Sequence, residues 1–276
     1  MHRTDGLSPP HPSPLVLPVV FMLDNVLRIP CNNLMNMNAG RLILLMLGGA
    51  GSSLLGQELL QNGGFESGTL AGWSEANQAG GQGNFLVMPV GGVPPLSNVP
   101  AYQTAANPDG GSFFAISDTV QGGPGAHVLY QPFTIPSAGG TATLQFQLFV
   151  NNYGSSLAVN PAGLDYTASP NQHTRVDILS GSASVFDTGA GVIKNLYLGA
   201  DPVASPQPYL TYKLDISDTV SAPGTYLLRF AEVDNEYWLH MGIDNVSLNF
   251  TPVPEPGIPS LLAVGALCLG LFWRRR

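Results

Sequence analysis

The chain has 276 residues, with only 10 Lys and Arg against 18 Asp and Glu, and with 33 Gly and 24 Pro, a composition that excludes a coiled coil and an ordinary helical bundle. A charged fraction of 10% and a mean hydropathy of +0.15 would suit a membrane protein if the apolar residues were evenly spread. They are concentrated instead in two runs, 42–55 and 258–273, and the stretch between them reads as one globular domain.

Residues 1–34 are Pro-rich and carry His2 and His11. Met35 and Met37 then precede Arg41, the first apolar run, a set of small residues and the polar Gln57. A short basic region, an apolar stretch and a small-residue zone form the order of a secretory signal, so 35–56 is expected to be a signal peptide. A signal begins close to the true N-terminus, so 1–34 is expected to be a leader from a start codon assigned too early. The other apolar segment, 15–23, is interrupted by Pro18.

From 57 to 250 the apolar residues alternate with period two, the signature of strands with one buried face. Leu144, Phe146, Leu148 and Val150 alternate with Gln145 and Gln147, and Tyr212, Leu214 and Ile216 with Lys213 and Asp215. Tyr226, Leu228 and Phe230 lie opposite Arg229, and Val246, Leu248 and Phe250 opposite Ser247 and Asn249. Further strands are predicted within 85–88, 112–117, 127–133 and 174–179, separated by Gly, Pro, Asn and Ser. Some eight strands in under 200 residues predict an all-β, jelly-roll β-sandwich. Trp73 is expected in its core. Both cysteines, Cys31 and Cys268, fall outside this domain, which must therefore fold without a disulfide.

The tail runs Val253, Pro254, Glu255, Pro256, then the uncharged 258–273, then Arg274, Arg275 and Arg276. Sixteen residues make about 24 Å of helix, which spans a bilayer core of about 30 Å only with thinning and snorkelling arginines. A buried core helix would not end in three cations; a transmembrane helix with its end held on the cytoplasmic side would. The order Pro-Glu-Pro, apolar helix, Arg cluster, combined with an N-terminal signal, resembles the PEP-CTERM proteins of bacteria. That resemblance covers about the last 24 residues (251–276 as a segment) and implies an exported protein. Its precursor would be anchored in the inner membrane, then processed by an exosortase-like membrane enzyme and delivered to the cell surface or extracellular matrix.

Asn62-Gly63-Gly64-Phe65-Glu66-Ser67-Gly68 with Gly72-Trp73, and Gly242-Ile243-Asp244-Asn245-Val246-Ser247-Leu248, resemble the opening and closing strands of galactose-binding-like jelly rolls, a superfamily that includes several carbohydrate-binding modules. Two long insertions, 151–172 and 186–208, depart from that pattern and put the ligand surface in question. Strand parity places Asp244, two residues before Val246, on the inward side, where a carboxylate needs a partner. Glu66, beside Phe65, is expected on the neighbouring first strand. The resemblance implies that Glu66 and Asp244 hold a structural Ca²⁺ with backbone carbonyls of the Gly-rich turn, because calcium takes six to eight oxygens. The alternative is exposed carboxylates, or pairing with Arg229 or Arg175.

The run from Arg229 to Trp238 concentrates charge. It reads as a strand ending in a solvated loop, with an alternative in which Trp238 and Tyr237 stack on a sugar while Asp234 and Asn235 bind its hydroxyls. Paired carboxylates there would also suit a polysaccharide hydrolase, although one acidic run specifies no geometry. His127, His173 and His240 have no metal-binding spacing and read as isolated strand or loop residues, and no nucleophile elbow or phosphate-binding loop occurs. Residues 57–250 carry 4 basic and 15 acidic side chains, a net of −11, which argues against nucleic acid and anionic lipid surfaces. The expectation is a non-enzymatic exported surface or matrix protein, with a lectin-like module for extracellular polysaccharide as the alternative.

Overall fold

The computed structural model describes residues 56–98, 111–120, 124–154, 157–199 and 208–253. The leader, the signal segment and the tail from Pro254 to Arg276 lie outside the described residues. Among the described residues no helix is long and apolar enough to cross a membrane.

Eleven strands follow in order: β1 (Gln57–Glu58), β2 (Ser74–Asn77), β3 (Asn84–Pro89), β4 (Phe113–Asp118), β5 (Gly125–Ile135), β6 (Thr141–Asn152), β7 (His173–Ser180), β8 (Val192–Gly199), β9 (Leu210–Asp215), β10 (Gly224–Asp234) and β11 (Leu239–Thr251). They form two antiparallel sheets, β3-β4-β11-β6-β9 with β1 added beside β11, and β2-β5-β10-β7-β8. The fold is the expected jelly-roll sandwich. Alternation does the work in its centre: Leu144, Phe146 and Leu148 of β6 and Leu228 and Phe230 of β10 are almost fully buried between the sheets. Each such side chain contributes about 2–3 kcal/mol of burial. Phe146 and Phe230 meet edge to face at 5.5 Å across the sandwich. Trp73 is in the core, between Phe65 and Phe230, with its indole N–H donating to the Asn62 carbonyl at 3.2 Å.

Three strands carry no alternating signal. β1 has two residues and β2 only Ser-Glu-Ala-Asn, while β8, within the expected second insertion, pairs with β7 through two register shifts that break its period. The insertions cover the second sheet. Leu164 and Tyr166 from the β6–β7 connection, and Val185 and Phe186 from the β7–β8 connection, pack on the outer-face residues Ala126, Val128, Ala231 and Val233. The first sheet is partly covered too, with Phe114, Ile116 and Phe149 beneath Val90 and Tyr209.

This cover corrects the reading of Arg229. It does lie on the face opposite Phe230, but it is fully buried rather than solvated. Its guanidinium pairs with Asp177 and donates to the carbonyls of Val185 at 2.6 Å and Asp187 at 2.7 Å, tying down the covering loop. Arg175 also bonds Asp177, at 2.7 and 2.9 Å. Burial would raise the Asp177 pKa, but Arg175 and Arg229 together hold it below the usual carboxylate range. Both arginines are thus committed to Asp177 and leave Asp244 without an arginine partner among the described residues.

Candidate functional site

Along β10, the inward positions after Phe230 are Glu232 and Asp234, opposite His127 and Gly125 of β5. The solvated reading of this acidic run is overturned, because both carboxyls are buried at 0–1% exposure at one end of the inter-sheet space. Asp234 accepts the Gly125 amide at 2.9 Å. Neither Glu232 oxygen has a hydrogen bond of ordinary geometry, and His127 Nε2 stands 3.9 Å away. Burial, then the Asp234 charge, pushes the Glu232 pKa well up despite the nearby Ser117 hydroxyl; burial likewise raises Asp234. Burial pulls His127 down to about 4. Burial thus favours the uncharged form of all three groups at this end, as low dielectric requires. His127 is also tied in place, with Nε2 donating to the Gln82 carbonyl at 3.0 Å. His240 lies 3.7 Å from Asp118, so these two histidines are not isolated.

Over this end runs the β10–β11 connection, held from below by amides. The Gln172 side chain accepts the N–H groups of Asn235 and Glu236 at 3.2 and 3.1 Å and donates to the Tyr237 carbonyl at 2.8 Å and to Asn152 at 3.0 Å. Asn235 donates to the Tyr166 and Ala168 carbonyls and accepts the Asn171 amide. On the other side, the Tyr153 amide donates to the Trp238 carbonyl at 2.9 Å. The clamped tip presents Tyr237, 41% exposed, against the half-buried Trp238 at 4.7 Å between ring centroids. Trp238 in turn meets Tyr153 edge to face, and the Trp238 indole N–H and Tyr153 hydroxyl are buried without a hydrogen-bond partner.

Of the four residues expected at a sugar, Tyr237 and Trp238 are together at the tip. Asp234 is beneath it, and the Asn235 amide is spent inside the loop. Gln172, Asn171 and Tyr153, which do the clamping, carry no sequence signal beyond being polar or aromatic residues beside a long insertion.

The second candidate is the Glu66–Asp244 pair, and here parity fails. A β-bulge between Asp244 and Ser247, with Asn245 at φ 48°, inserts an extra residue into β11. Asp244 consequently pairs with Gln147 on the outer face, while Ile243 and Val246 both face the core. Glu66 is likewise in a turn, exposed, and not on a strand. The two are nevertheless neighbours: a Cβ added at Gly64 would lie 3.7 Å from Glu66 Cγ and 4.0 Å from Asp244 Oδ1. Gly63 is needed for this approach, since a Cβ there would run into the Val246 carbonyl. Asn62, Phe65 and Asn245 all have positive φ, uncommon for any side chain and costly for Phe, around this one pair.

Asp244 is 1% exposed; Oδ1 accepts the Asn245 amide at 2.7 Å, and Oδ2 has no partner. Burial, with the Glu66 charge adding, pushes its pKa to about 7. Glu66 accepts the Ser112 and Phe113 amides at 3.0 and 3.2 Å. An orphaned buried carboxylate oxygen beside a second carboxylate fits a hard cation with oxygen ligands.

No family model matches the chain, and no curated protein does. Solved structures to which it is similar include TmCBM61 in complex with β-1,4-galactotriose, at 12% identity over 70% of this chain and 97% of that one, TM-score 0.41. Another is the K3 cleaved adhesin domain of Lys-gingipain from Porphyromonas gingivalis, at 15% identity over 70% and 98%, TM-score 0.42. A Stig cyclase from Fischerella sp. matches at 17% identity over 72% and 100%, TM-score 0.42. Likenesses this distant carry no argument about what this chain binds or catalyses.

Proposed function

We propose that this chain is an exported β-sandwich that binds extracellular carbohydrate, without hydrolysing it, through the tip formed by Tyr237 and Trp238. The observation that carries the reading is Tyr237 itself: an aromatic ring held out to solvent on a connection whose backbone is fixed by Gln172, Asn235 and Tyr153. A sugar has an apolar face that packs on such a ring, and a clamped loop loses little freedom on binding. The hydrolase alternative has no support from the acidic run, because Glu232 and Asp234 are buried where a glycosidic oxygen cannot reach them.

Export rests on the tail. Val253, Pro254, Glu255, Pro256, Arg274, Arg275 and Arg276 match the sorting signal read by an exosortase-type system, and the preceding domain has no cysteine. Glu66 and Asp244 would hold a structural Ca²⁺, pinning the turn at 62–66 to β11 and supplying positive charge to the Asp244 Oδ2 that has no hydrogen-bond partner.

The test is a glycan array probed with full-length protein and with Tyr237→Ala. Specific binding that the substitution weakens about tenfold, with unchanged thermal stability, is the expected result. Wild-type protein that binds no glycan on the array would overturn the reading.

A further inference from the structure

Resting on the sugar-binding reading, we infer that the tip recognises one uncharged sugar at the end of a chain, rather than a run of sugars along it. Among the described residues Tyr237 is the only exposed aromatic side chain. One ring offers a platform for one sugar, and no second exposed ring among the described residues continues the track.

The sheet faces offer no alternative path. On the second sheet, Ala126, Val128, Ala231 and Val233 are fully buried beneath Leu164, Tyr166, Val185 and Phe186. On the first sheet, Phe114, Ile116 and Phe149 are buried too, and the open remainder shows Thr143, Gln145, Lys213, Ser247 and Asn249, none of them aromatic. A polysaccharide laid across either face would meet a covering loop or a polar surface with nothing to stack on. At the tip, contact is end-on.

Charge selects against acidic sugars. Among the described residues the basic side chains are Arg175, Lys194, Lys213 and Arg229. Both arginines are buried on Asp177. Lys194 pairs opposite Ile178 and Lys213 opposite Gln145, about 16 Å and about 23 Å along the strands from the tip end. Glu236, exposed beside Tyr237, adds a negative charge, so a uronate or sulfate would meet repulsion and no counter-charge.

The experiment uses full-length protein in a detergent without a sugar headgroup. By calorimetry it is titrated with neutral oligosaccharides of two, four and eight units built from the sugar that scores best on the array. Two further probes are a cyclic oligomer of the same sugar and a uronate oligosaccharide of matched length. The expected outcome is a Kd per molecule constant within about threefold from two to eight units. No binding of the ring-closed or acidic probe is expected, together with about tenfold loss on Tyr237→Ala and retention in Tyr237→Phe. Affinity that climbs with length, or binding of the cyclic or acidic oligomer, overturns end recognition while leaving sugar binding standing. Failure of every sugar to bind overturns both.

Discussion

The two halves of β10 have the same inward parity and opposite chemistry. Tyr226, Leu228 and Phe230 enter an apolar core that rings from both sheets fill. Two residues later Glu232 and Asp234 occupy equivalent positions, yet they meet His127, Ser117 and backbone amides, and burial raises both pKa values. The apolar half gives the domain its stability. The polar half supports a connection, from Asn235 to Trp238, that is organised by hydrogen bonds and leaves one ring outside. A strand can thus be continuous in geometry while changing role along its length, because burial depends on what the loops place over its end.

The sharpest way to break this comparison is to remove the apolar anchor. Phe230→Ala should cost about 3–5 kcal/mol, by lost transfer energy and the cavity left between Trp73 and Phe146, and urea denaturation should show it at every pH. A cost under 1 kcal/mol would mean that the core is not centred on this half.

A smaller effect tests the Glu66–Asp244 region. Calcium at 100 times its Kd should add about 2.7 kcal/mol, so chelation should lower the melting temperature of the wild type and leave Asp244→Asn almost unmoved. In chelator, the wild type should also lose stability as pH rises from about 3.8 to about 7, because over that range the fold holds the Asp244 proton that the unfolded chain has released. A wild-type melt indifferent to chelator and metal analysis without calcium would remove the site.

The smallest effect concerns the polar half. Glu232 has its pKa raised in the fold, so its stabilising contribution is complete below the ordinary value near 4.5 and is lost as pH climbs toward the raised one. Over that window the wild type should lose stability relative to Glu232→Gln, which keeps the shape without the ionisation. Parallel stability curves for the two proteins would show instead that Glu232 is ionised in the fold.

How much was legible varied with the length of the interaction. The strands at 144–150, 212–216 and 226–230 were readable because period-two alternation is local, those at 85–88, 112–117, 127–133 and 174–179 because Gly, Pro, Asn and Ser set them apart, and the core position of Trp73 was readable too. β2 was not, being four polar residues that become a strand only by pairing with β5. The nearness of Glu66 and Asp244 was expected from resemblance, but for a different reason from the real one: the bulge at Asn245 turns Asp244 outward, and a bulge leaves no mark in alternation. Tyr237 and Trp238 stood out as aromatics in a charged run, while the burial of Arg229, Glu232 and Asp234 did not.

The sequence alone determined the all-β class and the face each regular strand turns inward, since both are set by neighbours a few residues apart. The tertiary structure alone decided which charges are buried. Arg229 is closed off by a loop 42 to 44 residues away that supplies the Val185 and Asp187 carbonyls, and Glu232 by His127 on the strand beside it. Desolvation is a property of everything packed around a group, and no local pattern encodes it.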